Sequence, residues 1–113
     1  MRVIISSAKD WSDQESVIEA LSELPASTTV LIPTRTGACG ILLENSDLLK
    51  FEIEDWSAEN DDYETRGSFI NSEMMKTDVD MCIAFLTNDS HSTKDAIRQA
   101  RLKDLDLKII TRS

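Results

Sequence analysis

The residues with the clearest chemical potential are Thr34, Arg35, Thr36 and Gly37, within TTVLIPTRTGACG (residues 28–40). A short β-branched run, Thr28 to Ile32, breaks at Pro33, and Gly37-Ala38 then leads into an apolar-periodic segment. Strand, loop and helix in that order turn backbone N–H groups toward an anion at the helix N-terminus. Two hydroxyls and a guanidinium in the loop are donors that such an anion would meet. The loop holds one glycine where a strong phosphate cradle holds two or three, so the signature is thin.

Other reactive residue types carry less. Cys39 and Cys82 have no CxxC or Cys/His spacing, and His91 is the only histidine, so reduced structural thiols are expected and no metal site is. His91 lies in a Ser/Thr-rich turn with no assignable nucleophile, which leaves no Ser-His-Asp arrangement. Asn71 and Glu73 fall near the start of a helix, where capping or a surface role is the commoner use. Asp61, Asp62 and Glu64 lack the order and the glycine turn of a calcium loop. No catalytic residue and no cofactor is expected.

Charge narrows the range of partners. The 113-residue chain carries a net charge of −9, which argues against direct binding to nucleic acid or an anionic membrane. Between Glu52 and Glu64 lie seven acids (Glu52, Glu54, Asp55, Glu59, Asp61, Asp62, Glu64) and no Lys or Arg. From Lys94 to Arg112 there are six bases against three acids. One connection is thus strongly acidic and the C-terminal end modestly basic. No apolar run approaches the roughly 20 residues that span a bilayer, and no charged-then-apolar leader opens the chain. A cytoplasmic protein of one domain is expected.

The elements that must position these residues alternate strand and helix. Arg2 to Ser6 is a first strand. Ser12 and Glu15 fit a capping box, with Val17, Ile18, Leu21 and Leu24 at helical spacing behind it and Pro25 beyond the end. After the second strand, Ala38, Ile41, Leu42, Asn45, Leu48 and Leu49 share one side of a single helix. Lys50 to Glu54 alternates like a half-buried or edge strand. An acidic loop runs to about Thr65, and a third helix covers Ser68 to Lys76 with Phe69, Ile70 and Met74 inward. Met81 to Leu86 is a continuous apolar run, the pattern of a strand covered on both faces. A helix from about Ser92 to Lys103 buries Ala96, Ile97 and Ala100, and Leu107 to Thr111 closes the chain. Five strands alternating with four helices imply an α/β fold, a Rossmann-like three-layer sandwich with a parallel sheet of about five strands. Ligands of such sheets bind beyond the strand C-termini, here at Ser6–Trp11, Pro33–Gly37 and Ser90–Thr93.

At these loops RVIISSAKDW, TTVLIPTRTGACG, RGSFINSEM and IAFLTNDSHSTKDAIRQA together resemble the SLOG superfamily, close to its small YspA/YpsA-like branch. The register spans nearly the whole chain. The resemblance implies a Rossmann-like fold and a nucleotide or nucleotide-derived ligand. Asp10-Trp11 matches the first motif, whose Gly-Ser-Arg is here Ser7-Ala8-Lys9. After the second strand Gly37-Ala38 stands, while the family's histidine and glycine are Ile32 and Pro33, its arginine Thr36 and its aspartate Cys39. Gly67, Asn71 and Met74 match the third motif, whose arginine is Ile70. Thr93 matches the last, with Ser92 in place of glycine.

Glycine serves at phosphate loops because the backbone there takes φ > 0 or approaches the ligand closely. Ser7 adds a side chain at such a point, Pro33 removes an N–H, and Ile70 deletes a bidentate donor. The expected function is therefore a non-catalytic protein-binding module or inhibitor, of the kind phages and mobile elements use, on a SLOG-like scaffold with an eroded nucleotide pocket. Its partner would be a protein with a basic surface, met by Glu54, Asp55, Glu59, Asp61, Asp62 and Glu64 with Trp56 and Tyr63 as anchors. Self-association stays open. The alternative is binding or hydrolysis of a nucleotide-derived ligand by Ser7, Lys9, Thr34, Arg35, Thr36, Gly37, Asn71, Ser92 and Thr93.

Overall fold

The computed structural model describes residues 1–57, 63–88 and 90–112, the side chain of Glu64 excepted. Five strands, β1 (Arg2–Ser7), β2 (Thr29–Ile32), β3 (Glu52–Asp55), β4 (Met81–Leu86) and β5 (Asp106–Thr111), form one parallel sheet in the order β3-β2-β1-β4-β5. Between them run α1 (Gln14–Ser22), α2 (Gly37–Glu44), α3 (Ser46–Leu49), α4 (Tyr63–Met75) and α5 (His91–Leu102). This is a Rossmann-like α/β fold. Strand order reverses between β1 and β4, where Ser6 stands opposite Ala84 and Ser7 opposite Phe85. No helix among the described residues is long and apolar enough to cross a membrane.

The period-two alternation of β1 divides the core. Val3 and Ile5 point to one face and pack with α1 and α2, through Val17, Leu21, Ala38 and Leu42. Ile4 points to the other and packs with Ile70 and Met74 of α4 and Ala100 of α5. β4 is interior, as its apolar run implies, with Ile83 and Phe85 fully buried. β3 is an edge strand, which suits its alternating pattern, and it begins at Glu52 rather than Lys50. Cys39 and Cys82 are buried free thiols, and burial pushes the Cys82 thiol up to about 12.

Four local expectations need correction. The α1 cap is Asp13, one residue later than Ser12, and its Oδ1 accepts from Ser16 N at 3.4 Å. The single helix across residues 38–49 is two helices. The Asn45 side chain donates to Ile41 O at 2.8 Å and so competes with the backbone ladder. The break leaves Leu48 69% exposed while Leu49 still packs on the core. Most consequential, α4 begins at Tyr63, inside the stretch read as acidic loop, not at Ser68. Its inward line is Tyr63, Gly67, Ile70, Asn71 and Met74, which turns Phe69 outward to 57% exposure. There the Arg66 guanidinium sits over the Phe69 ring, 5.5 Å from its centroid.

Candidate functional site

The strand C-termini at the β1/β4 switch point are where this fold binds ligands. Here the polar groups that reach that end meet one another. Gly37 takes φ +58 at the start of α2. Ser7 Oγ, buried, donates to Ala8 O at 2.8 Å and accepts from Ala38 N at 2.8 Å, so a first-turn amide of α2 is already used. The Thr34 and Thr36 hydroxyls hydrogen-bond each other at 2.9 Å, and Thr36 N donates to Thr34 Oγ1 at 3.3 Å. Arg35 turns away to the edge strand. Its Nε donates to Asp55 Oδ2 at 2.8 Å, and Nη2 pairs with the same oxygen. At α5 the Ser90 hydroxyl caps Thr93 N at 3.3 Å. Lys9 and Arg35, the two cations among the nine proposed ligand residues, are both exposed.

On the α4–α5 side of the sheet Tyr63 reaches the end of β1, while Asp10, Trp11, Ser12, Asp13, Thr87 and Arg112 line an open polar cleft of about 290 Å³. Tyr63, expected beside Trp56 on an exposed docking surface, is only 3% exposed. Its hydroxyl shares a 2.7 Å hydrogen bond with Ser6 Oγ and donates to Asn71 Oδ1 at 2.7 Å. Asn71, expected near a helix start, lies buried in mid-helix. Its Nδ2 donates to Ser92 O at 3.0 Å and to Asp95 Oδ2 at 3.1 Å. Ser92 Oγ donates to Tyr63 O at 2.5 Å, and a Cβ at Gly67 would stand 2.6 Å from Ser92 Cβ. Absence of a side chain at Gly67 therefore lets α4 and α5 close on each other. The outcome is a continuous polar seam, Ser6–Tyr63–Asn71–Asp95, in which every donor of Asn71 is spent. Burial drives the Tyr63 phenol far above its ordinary 10, so it stays a neutral hydrogen-bonding group.

Asp95 anchors the outer end of the seam. Burial raises its carboxyl, but hydrogen bonds from Asn71, Arg98 and Gln99 outweigh this and hold it below the ordinary 3.8. A carboxyl depressed by folding adds stability above its unfolded value and loses it as pH falls through the folded value. The stability gap between wild type and Asp95→Asn is therefore expected to be constant above about pH 5 and to shrink below about pH 4. Urea midpoints at successive pH values check this. A gap that widens on acidification would refute it. Asp13, held low chiefly by the Arg112 hydrogen bond, is depressed in the same direction.

The acidic end of the sheet is partly paired. Glu54 binds Arg2 at 2.6 Å, and Asp55, besides Arg35, accepts from Ser57 N at 2.8 Å. Trp56 is half-buried and lines a cleft of about 220 Å³ with Arg66, Phe69, Ile70 and Glu73. Among the described residues its Nε1 is buried without a hydrogen-bond partner. The expected contributions of Glu59, Asp61, Asp62 and the Glu64 side chain lie outside the described residues. Phe69 was missed as a surface residue, and Asn71 and Tyr63 as buried ones, because the helix was started five residues late. The 63, 67, 70, 71, 74 spacing held the signal.

Comparison with known proteins adds no identity: neither protein-family models, nor curated proteins, nor solved structures give a match to this chain.

Proposed function

We propose that this chain is a non-catalytic protein-binding module or inhibitor, built on a SLOG-like scaffold whose ligand-binding groups are taken up by its own side chains. The observation that carries the reading is the polar seam through Tyr63. The hydroxyl, amide and guanidinium groups that would meet a phosphate instead meet Ser6, Asn71, Ser92 and Asp55. A ligand entering there would have to break satisfied buried hydrogen bonds, at about 1–3 kcal/mol for each group left unpaired. Asp95, depressed and ionised at neutral pH, adds repulsion toward an anion.

The contact surface in this reading is the acidic end of the sheet. Trp56 and the exposed Phe69 supply apolar area, and in sequence seven carboxylates fall within the thirteen residues from Glu52 to Glu64. Aromatic anchors ringed by charge are what binding hot spots use, and clustered charge steers encounter with a basic partner.

Two measurements test it. A nucleotide panel in a thermal-shift assay is expected to give no shift, whereas a ligand at about 100 times its dissociation constant adds about 2.7 kcal/mol. Low-micromolar nucleotide binding, lost in Lys9→Ala with Arg35→Ala, would instead restore the ligand-binding alternative. Pull-down from a host lysate is expected to recover a basic protein at low salt. The variant Asp61→Asn, Asp62→Asn, Glu64→Gln should recover less of it, and so should Trp56→Ala. Equal recovery by all three at both salt levels sinks the proposal.

A further inference from the structure

At the opposite edge of the sheet from β3, the surface has the reverse character. Helix α5 exposes Lys94, Arg98, Arg101 and Leu102, with the buried Ile97 at the groove floor, at positions i, i+4, i+7, i+8 and i+3, the stripe by which one helix meets another. No second helix of the described chain borders it. Its far wall is the end of β4 at Leu86 and the edge strand β5 at Ile109. Together they form an open groove of about 480 Å³. Leu102 is 74% exposed and Ile109 37%, two of the five large apolar side chains exposed among the described residues. The sequence stripe that buries Ala96, Ile97 and Ala100 accounts for α5 packing on the sheet. It does not account for Leu102.

Charge says what would cover this groove. In a chain of net charge −9, three cations rim it. Lys94 Nζ donates to a neutral carbonyl, Asn88 O, at 2.8 Å rather than to a carboxylate, and Arg98 shares Asp95 at 2.7 Å. Arg101 has no ion pair among the described residues. An occupant must therefore be anionic along α5 and apolar where it meets Leu102 and Ile109. From residue 94 to 102 the stripe is about 12 Å long at ~1.5 Å per residue, roughly two helical turns. An acyl chain would gain little in so open a trough, whereas a helix laid beside α5 would bury both exposed side chains.

We infer that the α5–β5 groove is a docking site for an acidic amphipathic helix of a partner protein, in the helix-in-groove mode. This is independent of the acidic end, since β3 and β5 are opposite edges of the sheet. Either site can fail without the other.

The test uses the full chain and a synthetic helical peptide with leucines at i, i+3, i+4 and i+7 and glutamates elsewhere. A twin with lysines in place of glutamates is the control. Amide NMR shifts are expected to be saturable, to map to α5 and β5, and to weaken with salt. Leu102→Asp and Arg101→Glu change exposed side chains and should each reduce affinity at least about tenfold, near 1.4 kcal/mol. Trp56→Ala should leave it unchanged. No binding, equal binding of both peptides, or shifts centred on the Trp56–Phe69 cleft would overturn the inference. So would tighter binding to vesicles of anionic lipid than to the peptide. A concentration-dependent dimer abolished by Leu102→Asp would do so too, by assigning the groove to a second copy.

Discussion

Replacing Phe85 by alanine is expected to lower stability by roughly 3–5 kcal/mol. Phe85 stands on interior strand β4, opposite Ser7 of β1 and Ile110 of β5, with no exposed surface. Its ring meets Trp11 edge-on, centroids 5.3 Å apart. Truncation removes both the burial and the edge contact, and the neighbouring backbones are fixed by sheet hydrogen bonds, so the cavity cannot collapse freely. Trp11 in turn carries the Arg112 guanidinium 5.5 Å above its ring, so loosening is expected to spread to the end of β5. Chemical denaturation measures the loss. Phe85→Leu, expected to cost under about 1.5 kcal/mol, keeps the test usable if the alanine variant does not fold. A loss below about 1 kcal/mol for alanine would mean that β4 is not the packed interior strand.

Gly37→Ala is expected to cost roughly 2–6 kcal/mol, from about 1–3 for a side chain forced into the left-handed region and a comparable amount for overpacking. Gly37 has φ +58, and a Cβ there would stand 2.1 Å from Ala8 O and 2.6 Å from Ser7 Oγ. The first of these is backbone and cannot rotate away. Relief requires the β1–α1 loop and the start of α2 to part, which would also break the Ser7 Oγ contact to Ala38 N. Urea unfolding and the amide shift of Ala38 read the two effects separately. A variant with wild-type stability would show that the approach of these loops is not tight. Glycine at residue 37 thus serves the packing of two loops, whatever the ligand history of the motif.

The strands were legible because a parallel interior strand must be apolar on both faces and an edge strand need not be. Met81–Leu86 and the alternating Lys50–Glu54, found as the strand Glu52–Asp55, announced their places in the sheet for that reason. The α5 stripe of Ala96, Ile97 and Ala100 was equally plain. Helix starts were less so. Asp13 and Ser12 are both good caps, and only the approach of Arg112, which pairs with Asp13, and of Trp11, whose Nε1 donates to Asp13 O at 3.2 Å, distinguishes them. Asn45 interrupts a helix by a local side-chain bond that apolar periodicity does not register.

Local pattern therefore determined the element types, the parallel α/β class, the acidic connection and the basic C-terminal end, and the loops that meet at the strand C-termini. These follow from side-chain period, backbone sterics and charge, which act over a few residues. Whether the polar groups in those loops face outward or pair with one another was decided by tertiary structure alone. Tyr63 and Asn71 are eight residues apart on α4, and their partners Ser6, Ser92 and Asp95 come from β1 and α5. Arg35 meets Asp55 only because β2 and β3 are neighbours in register. A buried polar group costs free energy until it finds a partner, and which partner it finds depends on elements far apart in sequence that the fold brings within 3 Å or so.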